Sequence, residues 1–317
     1  MLDSLAMSAA QAEIGIIGGS GLYEFPGLEG ARDLRLRTPF GVPSAPYRVG
    51  RLEGRSVAFL ARHGLGHRLM PTEINFRANI HGFRQLGVTR VISASAVGSM
   101  KEGIEPLHLV VPDQMVDRTV SRTMTFFGGG VVAHVALADP FCAELRRVLG
   151  AAARAARVRV HEGGTYLCIE GPQFSTRAES QLYRSWDVDV IGMTNLPEAR
   201  LAREAELCYA TLALVTDYDC WHEVEEEVSV EAVLVNLKRN AEAAAATLRQ
   251  AVRALPASRR CPCAAALATA IITRPPFPAV ARRRLGLLLA RYDRRAGRPS
   301  PARRRSRTRE RALTRPR

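Results

Sequence analysis

Two carboxylates, Asp217 and Asp219, flank Tyr218 shortly after the apolar segment LALV (212–215), from which Thr216 separates them. A strand that ends in two acids either releases them into solvent or directs them into a pocket. In a pocket, partial burial and the neighbouring acid would raise the pKa of Asp217 above its usual value of ~3.9. We therefore expect an acid pair that exchanges a proton with a bound molecule.

Small and basic residues at three other predicted strand ends could bind an anion. One strand runs into Gly18-Gly19-Ser20-Gly21, a second runs into Arg62-His63, and a third contains Ser93–Ser99. The glycine segment lacks the spacing of a dinucleotide loop, a nucleophile elbow or a Walker loop, but successive N–H groups can still converge on an anion. Arginine at a strand end is a two-point phosphate ligand. Because ligands of open α/β sheets bind beyond the strand ends, we expect these segments to share one phosphate-like anion.

Histidine and cysteine spacing does not predict a metal site. His63 and His67 are four residues apart, but two glycines lie between them and no glutamate follows His63, so a metal-binding helix is not expected. The six cysteines are scattered along the chain, which is typical of a reduced, cytoplasmic protein. Only Cys261 and Cys263 are clustered, and a CxC pair without further cysteine or histidine pairs is a weak metal signal. We predict no metal.

Alternating strand and helix patterns predict the fold class. Apolar runs bounded by turn residues predict strands at 14–17, 47–61 (a hairpin that turns at Glu53-Gly54), 89–97, 108–116, 164–171, 188–193 and 206–216. Helical spacing predicts helices at 72–86, 140–156 (capped by Asp139-Pro140), 196–207 and 229–252 (capped by Ser229). This order favours a single α/β domain with a mixed central β-sheet flanked by helices.

The composition divides the chain into four parts. We expect a flexible N-terminus at 1–12, one folded domain at 13–255, the end of the fold or a connector at 256–273, and a mostly disordered tail rich in Arg and Pro at 274–317. Within the tail only RRLGLLLARY (283–292) could form a short helix. No apolar run approaches the ~18 residues of a membrane span, and the first residues do not form a secretory signal.

The positive charge of the chain lies in this tail. The formal net charge is +14, and residues 274–317 hold 16 arginines against two acids, so the rest of the chain is electrically balanced. Such a tail could bind nucleic acid without sequence preference, although one tyrosine and one phenylalanine offer little stacking on bases. The 43 arginines against 2 lysines are also typical of a GC-rich gene. A shifted reading frame in such DNA would produce the same composition.

Short motifs in a fixed order carry a resemblance to a known family. The runs IEGPQFSTRAES (169–180), GMTNLPEARLAREAEL (192–207) and TDYDCW (216–221) resemble the trimeric purine nucleoside phosphorylase family and are most similar to its 5′-methylthioadenosine phosphorylase branch. GGSGL, TPFG, LARHG and DPFC occur in the same order, and the similarity covers roughly residues 14–255. The resemblance implies a phosphorylase catalytic domain at 13–255 and a homotrimer with sites at subunit interfaces. It also implies inorganic phosphate as a co-substrate, with no cofactor.

The resemblance also implies a role for particular residues. Phosphate would be bound by Ser20, Arg62, His63, Ser95, Ala96 (through its N–H) and Thr194. The nucleoside would contact Met193 at the ribose, Phe174 and Ser175 at the base, Val230 and Val233 at the 5′ substituent, and His134 from a neighbouring subunit. Asp217 and Asp219 would face the purine edge as the catalytic acids.

Two positions distinguish the branches of this family. Relatives that act on 6-oxopurines carry Glu and Asn where this chain has Ser175 and Asp217. An ionised carboxylate only accepts hydrogen bonds, so it suits an exocyclic 6-amine better than a 6-oxo group. We therefore expect phosphorolysis of 5′-methylthioadenosine to adenine and 5-methylthioribose 1-phosphate, a purine and methionine salvage reaction. A 6-oxopurine or methylthioinosine phosphorylase is the alternative.

Overall fold

The computed structural model describes residues 10–19, 22, 25, 27–222 and 230–293, without the side chains of 230–234. Eleven strands and six α-helices occur in this part of the chain. The strands are β1 (Ile14–Gly18), β2 (Glu29–Leu34), β3 (Tyr47–Leu52), β4 (Arg55–Ala61), β5 (Arg90–Ser99), β6 (Leu109–Val111), β7 (Gln114–Arg118), β8 (Val160–Glu162), β9 (Thr165–Ile169), β10 (Val190–Gly192) and β11 (Cys208–Asp217). The helices are α1 (Phe76–Gln85), α2 (Ala143–Ala155), α3 (Arg177–Ser185), α4 (Asn195–Glu204), α5 (Val230–Ala254) and α6 (Ala279–Asp293).

The strands form one mixed sheet, as predicted. Its main path is β2-β3-β4-β1-β5-β10-β9-β7, while β11 pairs with β5 and β6, and β6 pairs with β8. The long strand β5 is central, because β1 and β11 run parallel to it and β10 runs antiparallel beside its last residues. The carboxyl ends of β1, β4 and β11 therefore lie close to the second half of β5, as expected for a ligand site.

Helices cover both faces of the sheet. One apolar cluster joins the sheet to α1, α4 and α6, for example through Phe83, Leu201 and Leu285. The other joins it to α2 and α5, for example through Leu149 and Leu248. Because strand side chains alternate between faces, neighbouring residues of β1 such as Ile16 and Ile17 enter different clusters. The predicted α/β class is confirmed.

The predicted elements differ from the structure in several places: α1 begins at Phe76 rather than at 72, and β2, β8 and α3 were not predicted. Residues 108–116 form two strands rather than one, because Pro112 has no backbone N–H with which to continue the ladder. Helix α2 begins at Ala143, with Cys142 and not Asp139 as the N-cap. The N–H of Cys142 donates to the carbonyl of Tyr209 over 2.8 Å, and this bond keeps the residue before the helix extended against β11.

The tail is more ordered than expected at 274–293, where the segment predicted as a possible short helix, 283–292, is part of a longer one. Helix α6 occupies Ala279–Asp293, and Phe277, Leu285 and Leu289 are buried in the core. The amphipathic leucine pattern outweighs the arginine content, because the arginine side chains can stay in solvent while the leucines pack. Residues 256–273 are also packed, with Cys263 and Leu267 buried. Residues 1–9 and 294–317 lie outside the described part, and so do the calls on the N-terminus and the remaining tail.

Within the part of the chain that the structure describes, no helix has both the length and the apolar character that a bilayer crossing requires.

Candidate active site

A cavity of about 350 Å³ opens beside the second half of β5. Most of the residues predicted from the sequence line it, namely Arg62, His63, Ser95, Ala96, Phe174, Met193, Thr194, Asp217 and Asp219. They come from the loop after β4, from β5, from the loop between β9 and α3, from the segment after β10, and from the end of β11 and the residues that follow it. The structure therefore brings the proposed anion ligands and the acid pair to one cavity, although they are up to 157 residues apart in the chain.

Arg62 is fixed by a buried network. Its Nε donates to Oε1 of Glu198 over 2.6 Å and its Nη2 donates to Oε2 over 3.2 Å, and neither side chain is more than 1% exposed. Nη2 also donates to the hydroxyl of Ser93 over 2.6 Å, and Nη1 donates to the carbonyl of Ala94 over 2.9 Å. Burial lowers the pKa of Arg62, but the Glu198 carboxylate more than offsets this, so its pKa is raised and the guanidinium stays charged.

Gly19 packs directly against this guanidinium. A Cβ at Gly19 would lie 2.8 Å from both Nη1 of Arg62 and the carbonyl oxygen of Ala94. A side chain at this position would therefore displace the arginine or the strand. The neighbouring Ser20, predicted as a phosphate ligand, lies outside the described residues.

His63 is a neutral hydrogen-bonding group. Its Nδ1 lies 2.8 Å from the carbonyl oxygen of Leu69, so Nδ1 carries the proton and Nε2 is left as an acceptor. Burial, and then the charge of Arg62, lower the pKa of His63 from 6.5 to about 4. At neutral pH the ring therefore adds no charge to the anion site, and it can accept a hydrogen bond from a protonated phosphate oxygen.

Two buried hydroxyls lie next to each other in the cavity wall. Oγ of Ser95 lies 3.3 Å from Oγ1 of Thr194 and 3.1 Å from the phenol oxygen of Tyr166. Thr194 precedes α4 but makes no side-chain capping bond to it. Its hydroxyl is therefore directed to Ser95 and can bind an anion in the cavity.

The acid pair at the end of β11 is ordered by its neighbours. The N–H of Asp219 donates to Oδ1 of Asp217 over 2.8 Å, and the hydroxyl of Thr216 donates to Oδ2 of Asp217 over 2.6 Å. The hydroxyl of Ser180 donates to Oδ2 of Asp219. Burial raises the pKa of Asp219, while the Ser180 hydrogen bond partly opposes that rise. Asp219 thus retains a proton to a higher pH than an ordinary aspartate does.

Gly98 leaves room for this pair. A Cβ at Gly98 would lie 2.8 Å from Oδ1 of Asp217 and 3.2 Å from the backbone nitrogen of Asp219. The ladder between β11 and β5 is irregular at this point, between Val215 and Asp217. Because Gly98 has no side chain, the irregular end of β11 can pack closely against β5.

Apolar side chains form the remaining wall. Ile169, Ile191, Met193 and Leu237 line the cavity, and Phe174 lies at its edge with 50% of its surface exposed. Leu237 belongs to α5, and the amide of Asn236 ties that helix to β11 through a 2.8 Å bond to the carbonyl of Thr216. The predicted 5′ pocket residues Val230 and Val233 begin the same helix, but their side chains lie outside the described part.

Two predicted residues do not line the cavity of this chain. Ser175 is adjacent to it, and its carbonyl accepts a hydrogen bond from the thiol of Cys220 over 3.3 Å. His134 lies on an exposed segment, where its backbone N–H donates to the carbonyl of Ala270 over 2.9 Å. A contribution of His134 to the site of another subunit remains a prediction.

The sequence did not reveal the residues that hold the site in place. Glu198, Thr216, Ser180 and Tyr166 contact predicted ligands and were not singled out. Glu198, Ser180 and Thr216 had a signal, since they belong to the motif runs MTNLPEA, IEGPQFSTRAES and TDYDCW, whereas Tyr166 of β9 lies outside these runs and had none. The chain also brings Cys142 and Cys208 to the Cys261–Cys263 pair, so the view that this pair lacks partners is wrong.

Known proteins share this sequence and fold. The chain matches the model of the Phosphorylase superfamily over residues 13–253. It is 60% identical over 283 residues to the S-methyl-5′-thioadenosine phosphorylase of Koribacter versatilis (strain Ellin345), covering 89% of this chain and 97% of the relative. The phosphorylase of the same name from Geobacter sulfurreducens (strain ATCC 51573 / DSM 12127 / PCA) is 58% identical over 281 residues, covering 88% and 98%.

Solved structures agree. A crystal structure of methylthioadenosine phosphorylase from an antarctic soil metagenomic library matches with a TM-score of 0.85 at 49% identity, covering 89% of this chain and 100% of that chain. Methylthioadenosine phosphorylase from Schistosoma mansoni in complex with adenine matches with a TM-score of 0.74 at 36% identity, covering 78% and 93%. The chain therefore belongs to the Phosphorylase superfamily and, within it, to the family of S-methyl-5′-thioadenosine phosphorylases.

Proposed function

We propose that this protein catalyses the phosphorolysis of 5′-methylthioadenosine to adenine and 5-methylthioribose 1-phosphate. The observation that carries the proposal is that one cavity contains both a charged, fully buried arginine and two carboxylates. Its volume of about 350 Å³ is within the range of small-molecule sites. Relatives at 58–60% identity carry the name of this activity.

Phosphate would occupy the part of the cavity next to Arg62, His63, Ser95 and Thr194, with the N–H of Ala96 and the hydroxyl of Ser20 as further donors. Breaking the bond between C1′ and the purine nitrogen builds positive charge on the ribose. A phosphate oxygen stabilises that charge and then forms the new bond to C1′. Phosphate is already a nucleophile, so this scheme requires no cofactor.

The acid pair would serve the departing base. Adenine leaves with an added electron pair, and a proton delivered to N7 neutralises it. Asp217 would lie next to N7, and Asp219 would orient Asp217 and accept a hydrogen bond from the 6-amine. Because the two carboxyls lie so close, they titrate as a pair, and the raised pKa of Asp219 keeps a proton available to that pair.

The rest of the nucleoside would contact the apolar wall. Met193 would lie against the ribose and Phe174 against the base, with Ser175 beside it. Val230 and Val233, which begin the helix that carries Leu237, would surround the methylthio group. An apolar wall favours a methylthio group over a 5′-hydroxyl, because the hydroxyl would lose its hydrogen bonds to water.

We further propose a cytoplasmic homotrimer. Phe174 is half exposed at the mouth of the cavity, and His134 lies outside it on an exposed segment. A neighbouring subunit that covers Phe174 and supplies His134 would complete the 5′ end of the site. Sedimentation of the purified protein tests this arrangement, and a monomer that is fully active would contradict it.

A substrate assay tests the proposed reaction. Purified protein is incubated with 5′-methylthioadenosine, with and without phosphate, and adenine release is followed, with inosine as a parallel substrate. We expect phosphate-dependent adenine release and no cleavage of inosine. Cleavage of inosine alone would assign the protein to the 6-oxopurine branch, and adenine release without phosphate would indicate a hydrolase.

A further inference from the structure

Four cysteine sulfurs meet at the end of β11 that lies away from the acid pair. The Sγ atoms of Cys142, Cys208, Cys261 and Cys263 all lie within 4.8 Å of one another, and those of Cys208 and Cys261 are 3.2 Å apart. All four are free thiols. Cys142, Cys208 and Cys263 are no more than 3% exposed, and Cys261 is partly exposed. Cys208 begins β11, whereas Asp217 ends it, so this group is separate from the candidate active site.

Three different parts of the chain supply these sulfurs. Cys142 is the N-cap of α2, Cys208 is the first residue of β11, and Cys261 and Cys263 flank Pro262 at the start of a 3₁₀ turn (Pro262–Ala265). Cys142 and Cys208 are 66 residues apart in sequence, and Cys208 and Cys261 are 53 apart. The arrangement therefore depends on the folded chain and is not a short sequence motif.

The spacing fits one tetrahedral metal ion. With a zinc–sulfur bond of about 2.3 Å, the four sulfurs of a tetrahedral site lie about 3.8 Å apart. In this structure the Cys208 and Cys261 sulfurs are 3.2 Å apart, and no two of the four sulfurs are more than 4.8 Å apart, so the spacing brackets this value. Four sulfur ligands in tetrahedral geometry are typical of zinc or iron and exclude the oxygen-preferring magnesium and calcium.

The surroundings also suit a negatively charged cluster. Four thiolates around a divalent ion carry a net charge of −2. Nη1 of Arg259 lies 4.0 Å from Sγ of Cys208, and Cys142 is at the positive end of the α2 dipole. Both features place positive charge next to the sulfurs, which favours their deprotonated, metal-binding form.

We propose that Cys142, Cys208, Cys261 and Cys263 bind one Zn²⁺ as a closed structural site. All four positions of the ion are filled by protein, so it offers no position to water or substrate and takes no part in the phosphorolysis. Its role is to attach the segment after α5 to α2 and β11. That segment continues through Leu267 into α6, so the ion stabilises the packing of the C-terminal part of the chain.

Metal content tests the proposal on the full chain. The protein is produced in medium containing zinc, purified in a phosphine reductant without chelator, and its metals are measured by inductively coupled plasma mass spectrometry. We expect about one zinc per chain. Cys261→Ser, which changes the partly exposed ligand, should retain less than half of that zinc. The matched control Cys168→Ala removes a buried thiol outside the cluster and should retain all of it.

Thiol reactivity gives a second readout that does not depend on variants. In the native zinc-loaded protein the four cluster thiols should react with a mercurial reagent only as zinc is released, at about one zinc for four thiols. A chelator that removes the ion should lower the melting temperature, because a metal that binds only the folded chain stabilises it.

Two results would overturn the proposal. Zinc-free protein with all six cysteines reactive after denaturation would show four reduced thiols that bind no metal. In a second sample purified without any reductant, zinc-free protein in which only Cys168 and Cys220 react after denaturation would show two disulfides instead. Either result leaves the phosphorolysis assay unaffected, so it is distinguishable from a failure of the proposed reaction.

Discussion

Glu198 holds the guanidinium of Arg62 through two hydrogen bonds, Nε to Oε1 at 2.6 Å and Nη2 to Oε2 at 3.2 Å. Both side chains are buried, and Tyr209 donates a further bond to Oε2 of Glu198 over 2.8 Å. A buried ion pair of this kind adds little to stability compared with apolar residues, but breaking it is costly. Its value here is positional, since it fixes a cationic ligand at the wall of the cavity.

The first prediction concerns this pair. Glu198→Gln should destabilise the protein by about 3–5 kcal/mol, because it leaves the charge of Arg62 buried without its counterion. It should also raise the KM for phosphate roughly 10- to 100-fold, since Arg62 loses its fixed orientation. Steady-state kinetics at varied phosphate measures the second effect.

Glu204→Gln is the matched control for that experiment. Glu204 is a buried glutamate of the same helix, but it accepts bonds from Thr125 and the N–H of Phe126 and does not line the cavity. The KM for phosphate should therefore stay at the wild-type value. An unchanged KM in Glu198→Gln would show that Arg62 does not need its partner in order to bind phosphate.

The second prediction concerns the space beneath the acid pair. Gly98→Ala places a Cβ 2.8 Å from Oδ1 of Asp217, so the carboxylate must move away from the base. We expect kcat for 5′-methylthioadenosine to fall roughly 10- to 100-fold. The control Gly103→Ala has no atom within 4 Å of the new Cβ and should keep full activity. Equal activity of both variants would mean that the position of Asp217 is not critical.

The sequence predicted the residues that line the cavity better than the residues that hold them in position. The anion ligands Arg62 and Ser95 and the acid Asp217 were found because they lie after, within the second half of, or at the end of strands that the α/β pattern places side by side. Glu198 was missed because its pairing depends on how α4 packs on β5, which no local pattern encodes. The cysteine cluster was missed for the same reason, since Cys142 and Cys208 are far from Cys261 in sequence.

The C-terminal helix shows how composition can mislead. Arginine content favoured disorder, yet the apolar spacing of Leu285, Leu288 and Leu289 within the same segment describes one buried face. Long arginine side chains can leave their charged ends in solvent, so they do not prevent a helix from packing. Whether such a face finds a partner depends on the tertiary fold, which the segment alone does not show.

The third prediction follows from α6. Leu285 is fully buried, so Leu285→Ala should lower the free energy of unfolding by roughly 2–5 kcal/mol. Val280 is on the same helix but is 67% exposed, and Val280→Ala should change it by less than about 0.5 kcal/mol. Chemical denaturation of the two variants compares them. Equal stability would mean that α6 does not pack on the core in solution.

The fourth prediction concerns acid. The pKa of His63 is lowered from 6.5 to about 4 by folding. At a pH between these two values, the unfolded chain therefore binds a proton on His63 that the folded chain does not. The contribution of His63 to the free energy of unfolding is complete above pH 6.5. It is lost as pH falls toward 4, at up to about 1.4 kcal/mol per pH unit. His63→Gln should therefore lose less stability than wild type when urea unfolding is compared at pH 6.5 and 4.5.

Glu204 supplies the opposite sign in the same experiment. Burial raises its pKa from 4.5 to about 7, so its contribution is present below pH 4.5 and is lost as pH rises through 7. Glu204→Gln should consequently lose more stability than wild type on acidification. If His63→Gln and Glu204→Gln shift the acid dependence in the same direction, the burial of one of these groups in solution differs from the structure.

The central claim is that Asp217 serves the purine edge, and the most direct measurement compares Asp217→Asn with wild type on 5′-methylthioadenosine and inosine. The asparagine keeps the shape of the side chain but cannot donate a carboxyl proton. We predict that kcat for 5′-methylthioadenosine falls about 10²- to 10⁴-fold, as for loss of a general acid, while weak cleavage of inosine appears. Unchanged turnover of 5′-methylthioadenosine in this variant would contradict the claim.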